Sequence, residues 1–274
     1  PEARRVATRC RYTRGMSHTH PQHRILITND DGIHAPGIEL LERIARTLSE
    51  DVWVVAPDQE RSGAGHSISL SLPIRMRQLG PKRYEVMGTP TDCVLMALHE
   101  FMTDGPPSLI LSGINSGANL AEDVSYSGTC AAAMEGTLLG IRSIALSQIR
   151  QPGVAANFAP AEAWAPDLLR RLIDLPDWPA GSFLNVNFPD VPAAEVSGVR
   201  LAFVGQRPPG SFSIVPRVDA RNQPYYWVKI AYTSGALVDD SDLHAAADKA
   251  ISVTPIKLDF TDYAWRERLA GLFN

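Results

Sequence analysis

Two adjacent aspartates, Asp30 and Asp31, interrupt the run "ILITNDDGIHAPGI" at residues 25–38. Neighbouring carboxylates repel, and burial behind an apolar strand worsens the repulsion, so the arrangement asks for a cation. A plainer reading makes them turn residues, one capping the following helix and one solvated. Ser62 lies in the loop "DQERSGAGHS", after a second apolar run, and Asn115 follows "LILSG". In open α/β sheets ligands bind outside the carboxyl ends of the strands. These three loops can therefore bring carboxylate, hydroxyl and amide oxygens to one crevice. An all-oxygen donor set without thiolate suits Mg²⁺ or Mn²⁺, with waters completing the shell.

A second group of residues suits an anion. In "YSGTCAAAMEG", Ser127, Gly128 and Thr129 precede an alanine-rich helix. The free N–H groups and positive dipole end of such a helix fit a phosphate. Equally, Ser127 or Thr129 is simply the N-cap. Cys130 has no basic or histidine neighbour in sequence to activate it and reads as a small buried helix residue. His34 reads either as a proton shuttle or as a turn histidine packed near the site.

The elements that must position these residues follow from periodicity. Arg24 to Thr28 is a short buried strand, and Pro36 suits the first turn of a helix. Ile38, Leu41, Ala45 and Leu48 then recur at helical spacing, and Val52 to Ala56 form a second strand ended by Pro57. Strand, helix and strand make a βαβ unit, hence a parallel sheet. "RYEVMGTPTDCVLMALHEFM" reads as strand, turn and helix, with Thr89 as N-cap, Pro90 as first helical residue and Asp92 as capping-box partner. "SLILSGIN" and "SIALSQ" are further strands around the helix "SGTCAAAMEGTLLG", so strand ends fall near Asn29, Pro57, Gly88 and Ser112. Beyond residue 150, Pro and Gly are denser. Strand-like runs appear at Phe183–Phe188, Val199–Val204 and Tyr225–Tyr232, with a helix at Ala161–Ile173 that Pro166 opens or interrupts. The aromatics of "NQPYYWVKI" read as a strand packed on the core or on a partner subunit, ahead of a base-stacking platform. The expected fold is α/β: a Rossmann-like three-layer core with a mostly parallel sheet and a β-rich C-terminal extension.

Composition narrows the class. The 274 residues carry a formal net charge of −4 and 45% hydrophobic residues. That balance argues against a nucleic-acid duplex as partner, and no apolar run approaches a membrane span. Cys10, Cys93 and Cys130 form neither a zinc pattern nor a disulfide framework, which points to a reducing cytoplasm. The stretch "PEARRVATRCRYTRG" holds five arginines against one glutamate and has no apolar signal core. Residues 1–22 are expected to be a disordered basic extension upstream of a plausible start at Met16, although a transit peptide is compatible. The histidines of "SHTHPQH" are expected to be solvated.

Five blocks, "ILITNDDGIHAPGI", "VVAPDQERSGAGHS", "MGTPTDCV", "LILSGINSGANL" and "DVSYSGTCAAAMEG", occur in order. Together they resemble the signature blocks of the SurE family, stationary-phase survival proteins that act as 5′/3′-nucleotidases. The resemblance runs from about residue 24 to "DDSDLHAAADKAISVTPIKLDFTD". It implies one divalent ion per subunit, held by Asp30, Asp31, Ser62 and Asn115, and a phosphate site of Gly63, Asn115, Ser127, Gly128 and Thr129. Asp30, Asp31 and Asn115 would be the catalytic residues of a phosphomonoesterase acting on nucleoside monophosphates. It further implies one domain over residues 23–274. Its core would span about 23–200, and an arm at about 205–274 would be exchanged in a homodimer, sometimes paired into a homotetramer. "DQER" and "GAGHS" depart from commoner versions of the second loop, which leaves substrate preference open. The alternatives are a short-chain exopolyphosphatase of the same mechanism and a non-catalytic nucleotide-binding regulatory module.

Overall fold

The computed structural model describes residues 23–208, 210, 212–230, 235 and 237–273. The expectations for residues 1–22, including Cys10, and for Tyr232 fall outside these. The chain runs β1 (Arg24–Thr28), α1 (Pro36–Arg46), β2 (Asp51–Pro57), β3 (Arg75–Gly80), β4 (Arg83–Met87), α2 (Pro90–Met96), β5 (Leu109–Ser116), α3 (Gly128–Leu138), β6 (Arg142–Gln148), α4 (Ala159–Ile173), β7 (Ser182–Phe188) and β8 (Val199–Leu201). It continues through β9 (Phe212–Val218), β10 (Pro224–Ile230), α5 (Asp242–Ala247), β11 (Ile251–Lys257) and α6 (Tyr263–Ala270).

Nine strands form one sheet in the order β3-β4-β2-β1-β5-β6-β7-β11-β8, and β9 and β10 pair as a separate antiparallel ribbon. The pairs from β4 through β2, β1, β5 and β6 to β7 are all parallel, while β3 and β11 add antiparallel pairs. Period-two alternation of side chains along β1 feeds two cores. Ile25 and Ile27 join the cluster under α1 and α4, whereas Leu26 joins Val55, Cys93, Val94, Ile110 and Ala132 under α2 and α3. The result is the expected three-layer α/β architecture with a mostly parallel sheet.

The capping box of α2 forms as its sequence predicts: Thr89 accepts from Asp92 N–H and Asp92 accepts from Thr89 N–H. Other expectations need correction. Neither Asp30 nor Asp31 caps α1, whose N-cap is Ala35 without a side-chain bond. The strand expected to end near Ser112 runs to Ser116, with a register shift after Ser112. Gly113 sits there at φ +138° with Leu146 O only 2.3 Å from where a Cβ would be, so the strand crosses this point only as glycine. Helix α4 starts at Ala159 and passes through Pro166. Its Ala161, Ala165, Leu168, Leu169 and Ile173 are buried, and that packing outweighs one lost backbone bond. Strand β8 stops at Leu201 rather than Val204, since Phe203 turns to bridge Ser241. Of the two placements expected for β10, the core is excluded, since every one of its residues is exposed, and the partner subunit remains.

Candidate functional site

Asp30 and Asp31 stand where β1 ends, in the middle of the parallel sheet. The turn behind them is rigid, with Asn29 Nδ2 donating to Gly32 O at 2.8 Å and Ile33 N–H to Pro57 O at 2.8 Å. The loop after β2 is fastened to the same turn by Arg61 N–H, which donates to Asp30 O at 2.7 Å. The loop after β5 is fastened by Ser116 N–H, which donates to Asp31 Oδ2 at 2.9 Å. The three loops expected to share a crevice therefore do converge.

The start of α3 completes the arrangement. Thr129 Oγ1 donates to Asp30 Oδ1 at 2.5 Å, fully inside the protein. A Cβ on Gly128 would lie 2.7 Å from Asp30 Cβ and 2.9 Å from Oδ2, so any side chain there would push the helix off the carboxylate. Ser127 is the N-cap, its hydroxyl accepting from Cys130 N–H at 3.0 Å. Because a hydroxyl also donates, this cap does not consume the Ser127 proton. The N-cap and phosphate readings are thus compatible in one residue.

The remaining predicted residues sit at the rim. Asn115 Nδ2 donates to Gly117 O at 3.0 Å, which reserves Oδ1 as an acceptor. Ser62 is exposed and donates to Glu60 Oε1 at 2.9 Å, and Gly63 follows at φ +76°. Among the described residues Ser62 makes no hydrogen bond to Asp30, Asp31 or Asn115. Cys130 is buried, and that burial pushes its thiol up to about 12, so it offers no thiolate. His34 is mostly exposed, 3.9 Å from Glu85 Oε2.

Electrostatically the crevice is overloaded with negative charge. Burial raises Asp30 above the ordinary carboxylate range, against the opposing Thr129 hydroxyl. Asp31 is pushed up to about 6, first by burial and then by the charge of Asp30. Neither carboxylate forms an ion pair among the described residues, although Arg150 lends Asp31 some favourable charge. Among the described residues no three His, Cys, Asp or Glu side chains gather in a way that could hold a metal ion. Any metal shell must therefore be completed by hydroxyl, amide and water oxygens. Two carboxylates with a serine and an asparagine at hand meet that need for a hard cation.

Sequence reading missed Glu60, Arg150 and a brace between His66 and Glu135. His66 Nε2 lies 2.9 Å from Glu135 Oε2 and ties the loop of Ser62 and Gly63 to α3. Only the histidine in "GAGHS" and the lone carboxylate of α3 hinted at it. Also missed was the buried amide cluster that supports the approach to α3. In it Asn119 Nδ2 donates to Ser147 Oγ at 2.8 Å, while Asn185 and Asn187 donate to Asn119 O at 2.7 and 3.1 Å. Arg207 then anchors the start of the C-terminal extension to the same approach, through Asp123 at 3.0 Å and Leu120 O at 3.1 Å.

Comparison with known proteins identifies the family. Residues 25–210 match the family model described as "Survival protein SurE". A "5′-nucleotidase SurE" from Rhizorhabdus wittichii is 54% identical, over 88% of this chain and 96% of that protein. One from Methylorubrum extorquens (strain PA1) is 50% identical, over 91% of this chain and 99% of its own length. The crystal structure of a SurE protein from Aquifex aeolicus superposes with a TM-score of 0.78 at 34% identity, covering 91% of this chain and 99% of that one. With both the family model and relatives of this identity spanning most of its length, the chain belongs to the SurE family.

Proposed function

We propose that the chain is a metal-dependent phosphomonoesterase that hydrolyses nucleoside 5′-monophosphates, and also 3′-monophosphates, to nucleoside and phosphate. The observation that carries this reading is the contact of Asp30 with the first turn of α3, where a cation-seeking carboxylate adjoins an anion-seeking helix end. A phosphate ester is the ligand that answers both. Relatives named 5′-nucleotidase, matched across nearly their whole length, support the same substrate class.

Asp30, Asp31, Ser62 and Asn115 would hold one Mg²⁺ or Mn²⁺ per subunit. When bound, such an ion supplies Lewis acidity and positive charge beside the phosphoryl oxygens. The chain's own residues do the positioning. Thr129 donates hydrogen bonds to Asp30 from its hydroxyl and its backbone N–H, so it holds that carboxylate at the phosphate end of α3 while the backbone N–H groups of Gly63 and Gly128 meet the phosphate. Ser127 donates its free hydroxyl proton. Asp31 is anchored through Oδ2 by Ser116 and orients the attacking water with its other oxygen. Asn115 serves in both groups. These fixed dipoles stabilise charge as it develops on the phosphoryl group.

Residues 23–274 act in this reading as one phosphatase domain, with a core at about 23–200 and an arm beyond 205, in the cytoplasm. No helix among the described residues is long and apolar enough to cross a membrane. The arm exposes Tyr226, Trp227, Val228 and Ile230, and an isolated two-stranded ribbon is marginal in water. A second copy of the chain is the cover this surface calls for, as a homodimer that can pair into a tetramer. A monomeric mass by light scattering would exclude it.

The test is phosphate release from AMP, GMP, CMP, 3′-nucleotides and tripolyphosphate, with and without chelator. Nucleotide turnover should vanish with chelator, return with Mg²⁺ or Mn²⁺, and fall by about a thousandfold or more in Asp30→Asn with the fold intact. Wild-type turnover in Asp30→Asn would defeat the assignment. Tight binding without turnover would instead identify a regulatory module, and dominant tripolyphosphate hydrolysis an exopolyphosphatase.

A further inference from the structure

Residues 117–126 cross from the end of β5, which carries Asn115, to Ser127, the N-cap of α3, and so join the two halves of the crevice. The regular structure of this crossing is one 3₁₀ turn, Ala121–Ser125. Its far end meets the phosphate side directly, since Asp123 O accepts Tyr126 N–H and Ser127 N–H, both at 3.0 Å. The placement of residues 120–123 therefore sets where Ser127 and Gly128 face the crevice.

Side chains hold this segment from two directions. From the sheet, the amides of Asn185 and Asn187 grip Asn119. From the C-terminal extension comes Asp242, which is fully buried. It accepts Ala121 N–H through Oδ2 at 2.8 Å, and Gly205 N–H and Leu243 N–H through Oδ1 at 2.9 and 2.8 Å. Arg207 adds bonds to Leu120 O and Asp123. Ala121 stands at φ +52°, a left-handed conformation that a residue other than glycine keeps where its surroundings over-determine it. The Asp242 bond falls on that residue's own N–H. Gly205 approaches so closely that a Cβ there would lie 2.8 Å from Asp242 Oδ1. With three backbone donors on its two oxygens, Asp242 acts on the turn and leaves the phosphate to other groups.

We propose that Asp242 is a positioning residue for the phosphate end of the site: it locks Ala121, the 3₁₀ turn carries that placement to Ser127, and the first turn of α3 is thereby presented to the phosphoryl group. The proposal rests on the phosphomonoesterase reading. It makes the C-terminal extension part of the machinery of its own chain, in addition to a surface for a second copy.

The experiment uses the full chain with Mg²⁺ and four readouts: inorganic phosphate binding by calorimetry, KM and kcat for AMP, half-saturating Mg²⁺, and the melting temperature. Asp242→Asn keeps the size but sets an amide N–H against one of the backbone donors. Gly205→Ala crowds the carboxylate without removing it, and decides the question alone if Asp242→Asn does not fold. Each variant should weaken phosphate binding and raise the KM for AMP by about tenfold, with kcat and half-saturating Mg²⁺ changed by less than about threefold. Unchanged phosphate binding and KM in a folded variant overturn the proposal. So does a parallel loss of phosphate and Mg²⁺ affinity, which marks general loosening of the fold. Absence of AMP turnover in the wild type defeats the phosphomonoesterase reading instead, while calorimetry with phosphate still reads the effect of Asp242.

Discussion

Asp31 lies in the turn after β1 and Asp92 in the first turn of α2 after β4, two strands of one sheet, yet their surroundings differ in kind. Asp92 is buried and collects Ser69 N–H at 3.0 Å, Ser69 Oγ at 2.7 Å and Thr89 N–H at 2.8 Å. Burial alone would raise it, but these donors outweigh burial and hold it below the ordinary range. Asp31 receives one backbone donor and faces a second carboxylate, and it rises to about 6. Counting donors separates a structural carboxylate from one kept ready for a ligand, which position in the sequence cannot do.

The largest expected effect comes from breaking the satisfied member. Asp92→Ala removes the capping box of α2 and leaves the Ser69 and Thr89 donors without their acceptor, so chemical denaturation should show a loss of about 4 kcal/mol. An unchanged midpoint would mean that the donors find water. The wild-type contribution of Asp92 has a definite pH sign. Because its folded value is lowered, that stability is present above the unfolded value of 3.8 and is lost as the pH falls further.

Asp31 carries the opposite sign. Its folded value of about 6 exceeds the unfolded 3.8, so the chelated protein gains stability as the pH falls from above 6 toward 3.8. At pH 8 the ionised Asp31 is a burden, and Asp31→Asn should stabilise the chelated protein by up to about 3 kcal/mol while removing phosphatase activity. Thermal melts of both proteins between pH 4 and 8, with and without Mn²⁺, read this directly. Metal should raise the wild type and reverse the order. Equal melting temperatures at pH 8 in chelator would show that Asp31 already has its counter-charge.

The same contrast explains which parts of the molecule were legible in sequence. Asp30 and Asp31 are adjacent and sit between an apolar run and a glycine, and Ser127, Gly128 and Thr129 head an alanine-rich helix. Each signal is local. The α2 capping box was legible for the same reason, since Thr89 and Asp92 are three residues apart. What joins these parts is not local: Thr129 reaches Asp30 across 99 positions, and Asn185 reaches Asn119 across 66. No periodicity encodes such pairings. Strand β3 was missed because its alternation is masked by Arg75 and Arg77 on an exposed edge. β10 was assigned as a strand correctly, and its sequence left the core and a partner subunit open as its cover, because its apolar residues are equally what a surface awaiting another subunit carries. The structure removes the core.

The His66–Glu135 brace gives the smallest effect and the finest test of the comparison, because it is a partly exposed contact whose consequence lies elsewhere. A ring of contacts runs from Asp30 to Thr129, along α3 to Glu135, across to His66, and back through Arg61 N–H to Asp30 O. The link from His66 is the one that ties the loop of Ser62 and Gly63 to the C-terminal half of α3. Removing it frees the loop without uncovering core, so His66→Ala should barely move the melting temperature. It should raise the half-saturating Mn²⁺ concentration and the KM for AMP by about tenfold, with kcat less affected. His66→Gln, which keeps a donor for Glu135, should recover most of the loss. A fall in stability with unchanged KM would make the contact a surface ion pair of the ordinary kind, worth about 1 kcal/mol or less. In that case the loop would be held by Arg61 on Asp30 O and by Ser67 and Ser69 on Thr89 and Asp92.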